Sequence, residues 1–264
     1  ADMRRRNRGA IPQVRRETLA SFAPAIDPHQ HFWRLARDDY GWLTSDLAPI
    51  HRDFMPADLA PILARHAIKR TILVQAAPTL AETHFLLEVA EDVPFVAGVV
   101  GWVDFAAPDC ADVIARLAAN PLLVGLRPMV QDIPDDDWLL GPGLTPLLTA
   151  MARNDLIFDA LVKPRHLPRF LQVAGSHPDL QFVLDHCAKP SLATGDIAIW
   201  RRDIARLAEH PNVVCKLSGL ATEAAPDWRP ADLRPAVDHV LACFGPQRML
   251  WGSDWPVVNL AGGY

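Results

Sequence analysis

The sequence predicts an α/β protein of the (β/α)8, TIM-like barrel type, built as a single domain, and three observations lead there. Eight short runs rich in β-branched and apolar residues recur along the 264-residue chain. Nearly every gap between them holds a stretch with apolar residues three and four apart, the period of a helix with one buried face. Strands apolar on both faces and separated by helices call for a parallel sheet under helical cover. A doubly wound sheet is the nearest alternative. No Gly-x-Gly-x-x-Gly follows the first run, however, and eight strands over about 230 residues suit a barrel better.

The first strand is read from "AID" at 25–27, which runs into "PHQHFW". "RTILVQA" (70–76), "FVAGVVGWVD" (95–104) and "LLVGLRP" (122–128) give the second to fourth. "DLIFDALV" (155–162), "LQFVLDH" (180–186), "NVVCKLSG" (212–219) and "RMLWGSD" (248–254) give the fifth to eighth. Among the intervening stretches, "TLAETHFLLEVAED", "DCADVIARLAAN", "PRFLQVAGSH" and "WRRDIARLAEH" carry the helical period. The 24 prolines sharpen the borders, because the residue before proline is pushed out of helix.

Residues 1–25 stand apart. They hold Arg4, Arg5, Arg6, Arg8, Arg15 and Arg16 alongside Asp2 and Glu17, and lack the apolar core of a secretory signal. They read as a basic, disordered or loosely docked extension, with the barrel occupying 26–264. At the other end, "NLAGGY" leaves no room for a helix after the eighth strand, so the last helix of the ring is expected to be missing.

A net charge of −5 gives no electrostatic reason to expect binding to nucleic acid or an anionic membrane. No run of about 18 uncharged apolar residues suggests a membrane span. Cys110, Cys187, Cys215 and Cys243 are widely spaced with no Cys-x-x-Cys pair, and read as reduced thiols in a cytoplasmic protein. Self-association is left open.

Barrels gather their chemistry at the C-terminal ends of the strands. The polar residues there are His29 and His31 on the first strand, Arg127 on the fourth, Asp185 and His186 on the sixth, Lys216 and Ser218 on the seventh, and Ser253 and Asp254 on the eighth. His29 and His31, one residue apart, face the same way along a strand. With His186 and Asp254 they could surround one divalent ion, zinc or manganese, through nitrogen and oxygen donors. The same four could instead hold a water and a substrate carbonyl without metal. No organic cofactor is expected. Arg127 could polarise a carbonyl with its planar fork or pair structurally with Asp132 or Asp185. Lys189 could contact substrate or support its loop. Trp33 and Trp255, near strand ends, offer faces suited to the C–H surface of a sugar, and tryptophan equally fills barrel mouths.

"IDPHQHFW", "VLDHCAKP", "CKLSGL" and "WGSDWPV", in this order, resemble the amidohydrolase-2 branch of the amidohydrolase superfamily. "VQAAPTLAETHFLLEVA" and "GLRPMVQDIPDDDWL" are similar to its sugar-lactonase group, whose members open L-fucono-, L-rhamnono- or related aldonolactones. The resemblance covers residues 26–264. It implies a TIM-like barrel, metal-site roles for His29, His31, His186 and Asp254, and a proton-accepting role for Asp254 toward an attacking water. Catalysis would thus fall to Asp254, His186 and Arg127, with Trp33, Arg127, Lys189 and Trp255 against a small lactone substrate. Two-metal members use a bridging lysine or acid on strand four and a histidine on strand five. This chain has Arg127 and "FDALVKP" there, so a binuclear centre is not expected. Neighbouring branches suggest alternatives, a pyrone-dicarboxylate hydrolase or an aromatic-acid decarboxylase. A barrel that only binds is the non-catalytic alternative.

Overall fold

The computed structural model describes residues 25–264. Eight parallel strands pair in chain order: β1 (Ala25–Gln30), β2 (Ile68–Val74), β3 (Val96–Gly101), β4 (Leu123–Leu126), β5 (Ile157–Ala160), β6 (Phe182–Leu184), β7 (Val213–Leu217) and β8 (Met249–Trp251). Seven α-helices among the described residues alternate with them: α1 (Pro56–Arg65), α2 (Leu80–Asp92), α3 (Cys110–Leu117), α4 (Leu144–Arg153), α5 (Leu167–Ser176), α6 (Ala198–Leu207) and α7 (Pro230–Phe244). The fold is the expected TIM barrel, and every expected strand contains or overlaps an observed one. The basic extension lies outside the described residues, save Ala25.

Local chemistry places the elements. Thr79 caps α2, its Oγ1 accepting from Glu82 N at 3.0 Å. Pro56 and Pro230 occupy the first turns of α1 and α7, where no backbone N–H is needed. The helices turn faces such as Leu144, Leu147, Leu148 and Met151 of α4 onto the sheet. Between sheet and helices, Phe158 and Phe182 meet edge to face at 5.7 Å, and Phe182 meets Phe170 of α5 at 5.4 Å.

The sheet closes between its last and first strands at the rim that carries the site. Asp254 N donates to His29 O at 2.9 Å, and His31 N donates to Trp255 O at 2.7 Å. Asp27 fastens the seam from within, accepting from Ser253 Oγ at 2.5 Å, Ser253 N at 3.0 Å and Tyr264 OH at 3.1 Å. Among the described residues, β8 is followed by a 3-10 turn at Val257–Leu260 and no α-helix. The outer faces of Trp251 and Ile26 stand 49% and 48% exposed beside it. The cysteines are free, and Cys110, Cys187 and Cys215 are buried. No helix of the described residues is long and apolar enough to cross a membrane.

Candidate active site

His29 near the end of β1 and His31 just past it arrive at the mouth together, across a register irregularity between Asp27 and Gln30 that leaves Asp27 on the seam with Ser253. His31 Nδ1 lies 2.8 Å from the Val74 carbonyl, which can only accept, so Nδ1 carries the proton and Nε2 points to the site. His29 Nδ1 sits 3.3 Å from Asp185 Oδ1, close but poorly aligned for a hydrogen bond. Its Nε2 lies 3.2 Å from His31 Nε2. Asp254 Oδ1 completes a triangle, 3.2 Å from His31 Nε2 and 3.5 Å from His29 Nε2.

Unusual backbone delivers Asp254 and His186. Asp254 has φ 58°, and His186, Cys187, Ala188 and Lys189 form an unbroken left-handed stretch with φ between 50° and 58°. For L-residues this region is disfavoured, and such strain concentrates at functional sites. It also explains why β6 stops at Leu184 and does not run on to His186. The turn presses the His186 ring toward β7, where Nδ1 meets Ser218 Oγ at 2.8 Å. Gly219, at φ +61°, leaves the room the ring needs. Gly252 does the same for His29, since a Cβ there would lie 2.8 Å from His29 Cβ.

These burials set the charges. Burial alone would raise the Asp254 carboxyl, but His186, the His31 hydrogen bond and His29 outweigh it and hold the group well below the ordinary carboxylate range. Burial pushes His186 down to about 4 against the opposing pull of Asp254 and Asp185. Burial, helped by Lys216, drives His29 well down despite Asp185. Asp254 is therefore ionised beside neutral His29 and His186.

Beneath it runs a buried ionic network. Lys216 Nζ lies 2.8 Å from both Asp159 Oδ2 and Asp185 Oδ1. Arg127 Nη1 lies 3.2 Å from Asp185 Oδ2, and Nη2 donates to the Gln75 carbonyl. Burial would raise Asp185, but Lys216 and His29 keep it ionised well below its usual range. Burial and the nearby Asp185 raise Asp159 to about 7.

A cavity of about 260 Å³ opens over this floor, lined by His31, Arg127, His186, Lys189 and Asp254 among others. His29 sits under it, fully buried. The structure thus brings together five of the residues expected at the mouth. Trp33 and Trp255 are not among the lining. Both are buried in an aromatic cluster behind the pocket, each meeting Phe54 edge to face, at 5.5 and 5.2 Å, and Trp33 Nε1 is spent on Arg52 O. Trp42 takes the aromatic place on the wall. Lys189 pairs with Glu223 at 3.4 Å. Sequence reasoning missed Trp42 and Asp159. An acid inside the apolar run "LIFDALV" was the available signal for Asp159, whereas a loop tryptophan such as Trp42 carried none.

The donor set fits one metal ion. His29, His31 and Asp254 offer three converging atoms. Edges of 3.2, 3.2 and 3.5 Å match the roughly 3.3 Å that separates ligands on a tetrahedral zinc with bonds near 2.0–2.1 Å. A cation between them would let all three act as lone-pair donors, in place of the proton that can otherwise bridge His29 Nε2 and its neighbours. His31 is moreover oriented by the Val74 carbonyl, and His29 is backed by Asp185, as the outer shell of a metal site requires. His186 converges instead with His29 and Asp185, one step aside from that triangle.

A parallel barrel with histidines and an aspartate gathered at the C-terminal mouth defines the class as a TIM-barrel hydrolase. Residues 26–264 match the amidohydrolase family, and the chain belongs to it. It is 51% identical over 237 residues to L-fucono-1,5-lactonase of Burkholderia ambifaria, covering 90% of this chain and 82% of that protein. L-fucono-1,5-lactonase of Burkholderia multivorans is 41% identical over 256 residues, with 90% and 84% covered. A crystal structure of an amidohydrolase from Burkholderia multivorans with bound zinc superposes with a TM-score of 0.86 at 40% identity, covering 92% of this chain and 88% of that one.

Proposed function

We propose that this protein hydrolyses the ring ester of a sugar aldonolactone of the L-fucono-1,5-lactone class. The observation that carries the reading is Asp254, a carboxylate held ionised on the wall of a pocket sized for one small sugar ring. The names of the two Burkholderia lactonases, at 51% and 41% identity, support the same substrate class.

The residues divide the work. Asp254 Oδ1 is engaged by the two histidines, while Oδ2 has no hydrogen bond to protein among the described residues and is free to take a proton from water. So strongly ionised an aspartate is a weak base, and general-base transfer is efficient only when the two acidities are near one another. His29 Nε2, His31 Nε2 and Asp254 Oδ1 would hold a divalent ion, zinc or manganese, which when bound acidifies water and polarises a carbonyl. Water attacks the lactone carbonyl carbon and its proton passes to Asp254 Oδ2. The Arg127 guanidinium, on the pocket wall, supplies positive potential to the oxyanion. Collapse breaks the ring C–O bond, and the proton moves to the departing alkoxide, giving an open-chain aldonic acid. Neutral His186, anchored by Ser218, is placed to hold a substrate hydroxyl.

A dianionic pyrone or an aromatic acid is served less well. Lys189 is paired with Glu223 and Arg127 with Asp185, so both cations named on the wall already have carboxylate partners. The test is acid release, followed with a pH indicator, from L-fucono-, L-rhamnono- and L-galactonolactones, with and without chelator. Release by the wild type and its loss in Asp254→Asn is the expected result. Release from none would sink the reading.

A further inference from the structure

A second cavity, of about 700 Å³, adjoins the reaction pocket and shares Trp42, Met129 and Asp132 with it as lining. It is more than twice the volume of the pocket that receives the reacting ring. The loops after β1, β2, β3 and β4 build it, on one side of the barrel mouth. We propose that this annex is a sugar subsite, so that the protein accepts aldonolactones bearing a glycosyl substituent. The inference rests on the lactone reading and extends it from one ring to two.

The lining has the chemistry of carbohydrate recognition. Trp42, Trp102 and Trp138 are each half-buried, keeping part of the indole toward the cavity. They are fixed platforms. Trp42 Nε1 donates to Ala76 O at 2.7 Å, and the Trp102 backbone is clamped to Thr83 Oγ1 by bonds of 2.7 and 2.6 Å. The Trp138 ring rests edge to face on Phe105 at 5.9 Å. Rigid aromatic faces suit the C–H side of a pyranose, and a few fixed polar groups then orient its hydroxyls.

Carboxylates supply those polar groups. Asp39 Oδ2 is taken by Arg37 at 2.6 Å and Thr79 Oγ1 at 2.8 Å, whereas Asp39 Oδ1 is buried with no protein partner. A buried acceptor of this kind calls for a donor. Asp104 and Asp132 add acceptors on the same wall. Three carboxylates repel an anionic extension, and a plain hydrocarbon would leave the exposed acceptors of Asp104 and Asp132 unanswered. Arg37 already balances Asp39, which weakens the case for a cationic group. Neutral hydroxyls meet each requirement. The glycosidic bond itself takes no part, since the hydrolysed ester lies in the other pocket.

The experiment compares kcat/KM for L-fucono-1,5-lactone, glucono-1,5-lactone and the lactones of cellobionic, maltobionic and lactobionic acids, whose lactone ring is the same gluconic ring. At least one disaccharide lactone should exceed gluconolactone. The ratio of the two should fall about tenfold in Trp102→Ala and in Ala106→Trp, which removes a platform and fills the annex respectively. Turnover of L-fucono-1,5-lactone with neither turnover nor inhibition by any disaccharide lactone overturns the subsite alone. A ratio unmoved by both variants overturns it as well. Silence across all five lactones overturns the lactone reading and this inference with it.

Discussion

A Cβ on Gly219 would lie 2.6 Å from His186 Nδ1. The atom struck is the one that Ser218 Oγ already holds at 2.8 Å, so the ring cannot retreat without losing that bond. Gly219 also sits at φ +61°, where any L-residue is strained. Gly219→Ala should therefore cost about 2 kcal/mol or more in unfolding free energy. Because His186 must shift, lactone kcat should fall by about a hundredfold, the order expected for an ångström of misplacement. Chemical denaturation and initial rates on the same preparation check both parts. Full activity in the variant would show that the ring has no fixed role.

The buried network under the site gives a second expectation. Lys216 is the shared cation of Asp159 and Asp185, and all three are essentially inaccessible. Removing one partner of a buried ion pair leaves charge uncompensated, at a cost of about 3–5 kcal/mol. Lys216→Met should lose stability on that scale. Asp159 is the carboxyl already closer to neutrality, raised to about 7 by burial and Asp185, so the further change Asp159→Asn should restore part of the loss. A double variant no more stable than Lys216→Met would contradict this account of the network.

Some of this was legible in the sequence and some was not, for physical reasons that individual residues show. The strands were, because buried parallel strands leave apolar runs such as "FVAGVVG", and the intervening helices keep their period. His29, His31, Arg127, His186 and Asp254 were, since they stand where barrel strands end. The exclusion of Trp33 and Trp255 from the pocket was not. Each is one or two residues from a site residue, and which way a loop side chain turns depends on neighbours such as Phe54 that arrive from elsewhere in the chain. The left-handed run at His186 to Lys189 was equally hidden, because none of its residues is a glycine.

Metal content tests the triangle independently of activity. Purified wild-type protein should carry about one zinc or manganese per chain by elemental analysis, on the coordination argument for three donors. His31→Ala and Asp254→Asn should each lower that stoichiometry, since each removes one corner. Trp138→Phe, whose ring rests on Phe105 outside the reaction pocket, should not. Chelation should lower lactone turnover in the wild type, with recovery on adding zinc. Equal metal in the wild type and in His31→Ala would place any bound ion elsewhere.

Glu82 couples stability to pH away from the site. Burial raises its carboxyl to about 7, against the lowering effect of its bonds from Ala76 N at 3.0 Å and Tyr40 OH at 2.8 Å and of Arg37 nearby. A carboxyl with a raised pKa binds its proton more tightly in the folded chain than in the unfolded one. Its contribution is then fully present below the ordinary glutamate value and is lost as pH rises through about 7. The loss amounts to about 3–4 kcal/mol at most, at 1.36 kcal/mol per pH unit. Unfolding free energies measured from pH 4 to 9 should decline through this window in the wild type. Glu82→Gln cannot ionise, so its profile should be flatter there, even if its absolute stability is lower because one acceptor oxygen has become an amide. Parallel profiles for the two proteins would show that Glu82 titrates alike in the folded and unfolded chain, with Arg37 and the two hydrogen bonds offsetting burial.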